Sequence, residues 1–420
     1  MDEKQLTNNT ANLASEEVEE ILQLEKELSE AQLPEDLFEK TKTMVSRLRR
    51  VAKYGYFSRE YEPIAKYVSW ICQIPWENYS VDNLDLINAK NQLDNTHFGL
   101  QQVKERILEY IAILHLQRLQ QNGTVPPGIN NPQMMVNQVL QQNPNQNPQN
   151  TPQLNTIQHV QQAPTQIEKM VKLEGSSSHA PIICLVGVQG IGKTSIAKSI
   201  ALAMGRQFVR ISLGGIAHVS ELRGRSRSEI DSEPGQIVKA LIRTDVMNPL
   251  ILMDEIDKVS DFGGVRADVM ATLLEILDPE QNATFRDHYI DYPVDLSKVM
   301  FVCTANNLGG ISAALLDRLE IVRMSSYTDE EKMHIAKDYL LPKVIEATGI
   351  DPNVIFFSES VWPLLIRPLG FDAGIRQLER NITTLVRKIA KKMVEGQGNR
   401  FEITPDNFRQ YLPEDFGIYS

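Results

Sequence analysis

The stretch Pro181–Met204, PIICLVGVQGIGKTSIAKSIALAM, constrains the fold more than any other part of the chain. Ile182, Ile183, Cys184, Leu185 and Val186 form an unbroken apolar run ending at Gly187, the pattern of a parallel strand covered on both faces. Gly187, Gly190 and Gly192 then fit G-x-x-x-x-G-K-[ST], completed by Lys193 and Thr194, and a helical pattern follows at once. Glycines let such a loop fold back so that its amides point at a phosphate, and the positive end of the next helix adds to that field. Gly187, Val188, Gln189, Gly190, Ile191 and Gly192, with Lys193, Thr194 and Ser195, are therefore read as a nucleotide site; the alternative is a loop that has lost its ligand. Lys193 is expected to reach the outer phosphates and the Thr194 hydroxyl to ligate magnesium.

A βα rhythm continues downstream. Phe208–Ile211 reads as a short strand and Gln236–Arg243 as an amphipathic helix. Pro249–Glu255, PLILMDE, reads as an apolar strand ending in two acids. In a phosphate-loop ATPase the first acid at such an end holds magnesium and the second polarises the attacking water, roles that Asp254 and Glu255 fit. The next strand, Val299–Cys303, leads to Asn306, which either bonds a phosphate or attacking water or caps a turn. Two arginines are open in the same way. Arg318, after Leu315-Leu316-Asp317, either faces a neighbouring subunit's nucleotide or forms a surface salt bridge. Arg376, opening the last long helix after Gly374-Ile375, either reaches back to the phosphates or does likewise.

The rest of the chain frames this core. Val18, Ile21, Leu22 and Leu28 keep helical spacing behind a Ser15 cap, and a second helix is expected from Pro34 through Met44, Val45 and Leu48. Tyr61–Ser80, rich in aromatics around Ile64, Val68 and Ile71, reads as the point where this helical region docks on the remainder of the chain. From Leu84 to Gln120 the pattern is helical, with Leu86, Ala89 and Leu93 on one face and Val103, Ile107, Ile111 and Leu114 on another. His97-Phe98-Gly99-Leu100 breaks it, as an adenine pocket or as an interhelix turn. Residues 121–166, dominated by Gln, Asn and Pro, cannot bury enough surface to offset ordering entropy and read as a flexible insertion.

Composition excludes some classes. Cys72, Cys184 and Cys303 lie in apolar sequence without metal-ligand spacing and read as buried thiols of a reducing compartment. No run is long enough to span a bilayer, and the acidic N-terminus is no signal peptide, so a soluble, cytoplasmic chain is expected. With a net charge of −11, the one basic segment (Lys42, Arg47, Arg49, Arg50, Lys53) reads as a solvated helix face or an intersubunit contact, not as a nucleic-acid site.

Several runs carry a family resemblance: PLILMDEIDKV (Pro249–Val259), LLEILDPEQNATFRDHYIDYPVDLSKVMFVCTAN (Leu273–Asn306), LLDRLEIV (Leu315–Val322) and GIRQLER (Gly374–Arg380). With WICQIPWENYSVDNLDL (Trp70–Leu86) and HFGLQQVKERILEYIA (His97–Ala112) upstream, they resemble the AAA+ ATPase module of Lon protease. The resemblance implies that Lys193 and Thr194 bind the phosphates and Mg²⁺ of ATP, that Asp254 holds the metal and that Glu255 activates water. It further implies Asn306 as a polar sensor, Arg318 as a finger completing a neighbour's site, Arg376 as a second sensor, and His97 and Phe98 on the adenine side. A homo-oligomeric, hexameric ring acting on polypeptides follows from an arginine supplied in trans.

Four departures stand out. The chain stops at Ser420, shortly after YLPEDF, where the family's Ser-Lys peptidase domain would begin, and it starts at the helical neck without the N-terminal substrate-binding domain. Proteolysis is then not expected from this polypeptide alone, and a separate peptidase subunit is one alternative. Val188-Gln189 replace the family's two prolines. In the segment RGRSRSEIDSEPG, which lines the pore in Lon-like rings, Glu229 stands at the aromatic position and Ile230 is the remaining apolar grip.

The expected architecture is an α/β AAA+ phosphate-loop core with a parallel sheet, an N-terminal helical neck and a C-terminal all-helical lid. Its bounds are a tail over 1–15, neck over 16–83, core over 84–324 interrupted by an insertion and linker over 121–178, lid over 325–412 and tail over 413–420. The expected function is ATP hydrolysis that remodels or unfolds protein substrates. The alternatives are the ATPase part of a split or truncated ATP-dependent Lon-type serine protease, and a nucleotide-binding ring subunit or adaptor with little turnover.

Overall fold

The computed structural model describes residues 19–52, 57–121, 182–259, 265–366 and 374–413. Residues 19–108 and 182–413 belong to one compact unit, and residues 109–121 to a second. The Ser15 cap, Val18, Lys53, most of the Gln/Asn/Pro-rich segment and the C-terminal tail lie outside the described residues.

The neck is helical. α1 (residues 19–30) buries Ile21, Leu24 and Leu28, while Leu22 is exposed, so the apolar stripe steps 21–24–28 and the expectation of Leu22 on it is corrected. α2 (Glu35–Ala52) starts just after Pro34, carries acids in its first turn and Arg49 and Arg50 in its last, and buries Leu37, Val45 and Leu48. Its other face holds exposed Lys42, Arg47, Arg49 and Arg50, with Arg49 paired to Glu25 at 2.9 Å. α3 (Phe57–Gln73) serves two cores. Val68 packs with Ile21, Leu24, Val45 and Leu48, whereas Tyr67 and Ile71 join the main core. The Tyr67 hydroxyl donates to the Ile290 carbonyl at 3.1 Å, and Trp76 meets Tyr292 edge-on at 5.9 Å. The neck thus docks through Tyr61–Ser80.

α4 (Leu86–Thr96) is capped by Asp85, whose carboxylate accepts from the Ile87 and Asn88 amides. Ala89 and Leu93 are buried where α4 packs on the helix after the phosphate loop, while Leu86, the first helical residue, stands ahead of that contact and is exposed, contrary to the face expected for it. α5 (Gln101–Gln121) follows the predicted break.

The sheet is built from β1 (Ile182–Val186), β2 (Phe208–Ser212), β3 (Leu250–Asp254), β6 (Met300–Ala305) and β7 (Leu319–Arg323), in the order β2-β3-β6-β1-β7 and parallel throughout. β1, β3 and β6 are buried along their whole length, which is why they read as apolar runs. Between them run α6 (Lys193–Ala203), α7 (Val219–Arg223), α8 (Gln236–Thr244), α9 (Val265–Leu277) and α10 (Ala313–Leu316). β4 (Phe285–Arg286) and β5 (Pro293–Val294) make a separate antiparallel pair. Cys184 and Cys303 are register partners on β1 and β6, and burial pushes both thiols up, Cys184 to about 12. The parallel order places the ends of β1, β3 and β6 along one edge, where open α/β sheets take ligands.

The lid opens at α11 (Asp329–Ile335), where the Thr328 hydroxyl accepts from the Glu331 amide and Glu331 accepts from the Thr328 amide. α12 (Leu341–Thr348), α13 (Trp362–Ile366) and α14 (Arg376–Val394) follow, and α14 buries Leu378, Ile382, Leu385, Val386 and Ile389. The lid is not wholly helical. β8 (Ile355–Phe357) and β9 (Phe401–Ile403) pair in parallel, two three-residue apolar segments too short to announce themselves in the sequence.

Candidate functional site

The phosphate loop stands where β1 leaves the sheet. Gly190 and Gly192 hold φ of 83° and 93°, a region side chains resist, and Gly192 is the N-cap of α6. A Cβ on Gly187 would come within 2.3 Å of the Ile191 side chain and 2.7 Å of the Met324 carbonyl. Ile191 is buried under the loop, Val188 is exposed, and Gln189 faces the cleft. Lys193 Nζ donates to the carbonyls of Gly187 (2.5 Å) and Val188 (3.0 Å) and to Asn306 Oδ1 (3.0 Å). Burial lowers the Lys193 pKa, against the opposing pull of Asp254, Asp257 and Glu255.

A cleft of about 420 Å³ opens above this loop. Of the residues singled out from sequence, its wall holds His97, Phe98, Gln189, Gly190, Gly192, Lys193, Thr194, Ser195, Asp254, Glu255, Asn306 and Arg376. Arg318 is not among the lining residues. It sits between α10 and β7, where Nε and Nη2 donate to Asp278 Oδ2 at 3.3 and 3.0 Å and Nη1 donates to the Ala314 carbonyl. Asp278 is acidic beyond its usual range; burial raises its pKa, but the Glu280 amide, Arg318 and Gln281 together outweigh that.

The two acids after β3 are held differently. The Asp254 carboxylate is buried, with Oδ1 accepting from the Thr304 hydroxyl and Oδ2 from Arg210 Nε at 2.6 Å. Glu255 takes φ of 61°, a left-handed turn costing about 1 kcal/mol for a residue with a side chain. Its amide donates to Thr304 Oγ1 at 2.9 Å, and its Oε1 accepts from Lys258 Nζ at 2.6 Å. Thr304 therefore ties both acids to β6.

The loop between α4 and α5 closes another side. The Thr96 hydroxyl donates to the Gln92 carbonyl (2.8 Å), so toward His97 it acts as acceptor from Nδ1–H (3.0 Å). Nε2 is then bare and accepts from the Ser195 hydroxyl at 3.0 Å. Burial and the Lys104 ammonium lower the His97 pKa to about 4, which keeps this tautomer neutral. Lys104, itself buried, donates to the His97 carbonyl and to Asp94, both at 2.7 Å. Phe98 stacks on His334 of α11 at 4.9 Å and 15°, and Tyr339 donates to the Asp94 carbonyl. At α14 the Ile375 amide donates to the Gly190 carbonyl at 3.0 Å, so the lid touches the phosphate loop directly.

Sequence reasoning missed Arg210, Tyr327, Lys343 and Glu379 in the cleft wall. Arg210 had a signal, a cation inside the apolar strand FVRIS. The others lie on lid segments whose approach to the cleft no local pattern encodes. The oxygen donors here, the Thr194 hydroxyl and the Asp254 and Glu255 carboxylates, are of the hard kind that suits magnesium shared with phosphate and water. Among the described residues no three His, Cys, Asp or Glu side chains form a metal cage. Away from the cleft, the exposed turn after α7 shows Ile230 at 88% exposure and is based on buried Asp287, which accepts from the Gly235, Tyr289 and Ile290 amides.

Known proteins are similar to this chain in sequence. Residues 183–327 match the ATPase family associated with various cellular activities (AAA), and residues 346–401 match the Lon protease AAA+ ATPase lid domain. The chain is 38% identical to Lon protease of Endomicrobium trichonymphae over 367 residues, 87% of this chain and 38% of that protein. It is 37% identical to Lon protease of Lawsonia intracellularis over 400 residues, 95% of this chain and 40% of that protein. Against Lon protease 2 of Herpetosiphon aurantiacus it is 39% identical over 362 residues, covering 86% of this chain and 37% of the relative. The chain spans about two fifths of the length of the curated relatives it matches. With an AAA domain carrying the cleft and a Lon-type lid against it, the chain belongs to the AAA+ ATPases of the Lon protease family.

Proposed function

We propose that this chain binds ATP with Mg²⁺ in the cleft, hydrolyses it, and uses the cycle to remodel or unfold polypeptides as part of a homo-oligomeric, hexameric ring. The observation that carries the reading is the convergence of Lys193, Asn306, Asp254, Glu255 and Arg376 on one cleft at the sheet's edge. Lys193, Thr194 and the loop amides would hold the phosphates, with Lys193 exchanging the Gly187 and Val188 carbonyls for phosphate oxygens. Asp254 and Thr194 would hold the metal, which when bound neutralises the charge that develops on the phosphates. Glu255 would take the proton of the attacking water once Lys258 yields its carboxylate, and Asn306 would orient that water. Arg376 would bring the lid onto the phosphates, His97 and Phe98 would flank the base, and Arg318, held outward by Asp278, would complete a neighbour's site. A nucleotide-binding adaptor would have no use for a water-activating Glu255.

The test is Glu255→Gln. Losing the general base costs turnover, not affinity, so kcat is expected to fall about 100-fold or more with nucleotide binding intact. Parent-like hydrolysis by this variant would end the role given to Glu255.

A further inference from the structure

Arg210 projects from β2 into the cleft with its side chain 49% exposed, although its guanidinium is committed to a buried partner. Nε and Nη2 both lie 2.6 Å from Asp254 Oδ2. A carboxylate offers about four acceptor positions, two per oxygen. Arg210 Nε–H fills one on Oδ2, and Nη2 lies against the same oxygen as an ion-pair contact. On Oδ1 the Thr304 hydroxyl fills one, its proton aimed there because the Thr304 oxygen already accepts from the Glu255 amide. Asp254 is thus held through both oxygens, with a permanent cation on Oδ2.

The consequence for a metal follows from charge. A dication on Asp254 would share its carboxylate with a guanidinium that stays protonated at any working pH, and like charges at one buried carboxylate oppose each other strongly. Phosphate oxygens reverse the balance by bringing negative charge with the metal.

We propose that Arg210 is a positioning residue that sets the magnesium demand of the cleft: held on Asp254 Oδ2, it fixes that carboxylate and repels bare divalent cations, so the metal enters only with its nucleotide. This rests on the reading of Asp254 as the metal-holding acid. Arg210 acts through Asp254 and through charge, and no bond to substrate is assigned to it.

The experiment titrates the full chain with Mn²⁺, followed by electron paramagnetic resonance, without nucleotide and with saturating ADP. The parent is expected to bind Mn²⁺ weakly alone and tightly with ADP. Arg210→Gln and Arg210→Met should each tighten nucleotide-free Mn²⁺ binding about tenfold or more, a gain that damage to the fold does not produce. The gain should vanish in Arg210→Gln combined with Asp254→Asn. Met keeps the stem's packing and decides the matter if the Gln variant does not fold. Should neither variant bind free Mn²⁺ more tightly than the parent, the inference is overturned. If instead Asp254→Asn alone leaves ADP-linked Mn²⁺ binding at parent strength, the reading beneath it falls.

Discussion

His97 is the residue whose chemistry the fold alters most legibly. Its pKa falls from 6.5 to about 4 because burial and Lys104 disfavour the imidazolium, and the neutral ring then holds Thr96 on one nitrogen and Ser195 on the other. The unfolded chain takes up a proton below pH 6.5 that the folded chain refuses until about pH 4. Stability from this source is therefore complete above pH 6.5, is lost as pH falls through that window, and can reach about 3 kcal/mol. Urea unfolding at pH 7 and pH 5 should show a larger loss in the parent than in His97→Asn. Equal losses would mean that His97 is protonated in the folded chain.

At the scale of elements, the lid meets the phosphate loop through two glycines. A Cβ on Gly374 would fall 2.5 Å from the Gly190 carbonyl carbon, inside any real contact, and the next residue donates its amide to Gly190. Gly374→Ala must therefore push the start of α14 off the loop and carry Arg376 with it. Affinity for a fluorescent ADP analogue is expected to fall about tenfold, while the melting temperature shifts by only a few degrees because the buried stripe of α14 is untouched. A variant that binds as the parent does would show that the lid contact is idle. The loop after α7 is an element of another kind. Its base is buried at Asp287, and Glu233 pairs with Lys239 at 2.6 Å, so the exposed tip presents Glu229, Ile230 and Asp231. Arg227 lies over the Tyr67 ring at 4.3 Å, so the tip is anchored to the neck.

For the whole molecule, the proposed ring is tested at Arg318, which lies outside the cleft wall and pairs with Asp278. Arg318→Ala is expected to cut hydrolysis sharply with nucleotide affinity nearly intact, and mixing it with Glu255→Gln subunits should restore part of the turnover at mixed interfaces. Full activity in a monomer at low concentration would sink the ring. The tip residue Glu229 sets a matching test. Glu229→Tyr should raise unfolding of a tagged neutral substrate with little change in basal hydrolysis, and the parent should prefer basic segments in a salt-sensitive way, since screening acts over about 8 Å at physiological strength. Equal unfolding by parent and variant without salt dependence would end that account.

The amino-acid sequence by itself determined what local chemistry can specify. An apolar run, glycines at positive φ and a lysine at a set spacing allow one strand, one loop and one helix start, and the structure has them at Ile182–Val186, Gly190, Gly192 and Lys193. The described neck helices and the α4–α5 break were legible for the same reason, since helical period acts within a few residues. Only the tertiary structure decided which residues meet across the sheet and the lid. Arg210 reaches Asp254 because β2 and β3 pair in register, Ser212 beside Asp254. Phe98 stacks on His334 although 236 positions separate them, and Leu22 faces water because its neighbours' stripe steps by three and four past it. β7, β8 and β9 likewise exist because a partner strand supplies their hydrogen bonds, and strand pairing between distant segments is a property of the packed chain that no short window of sequence contains.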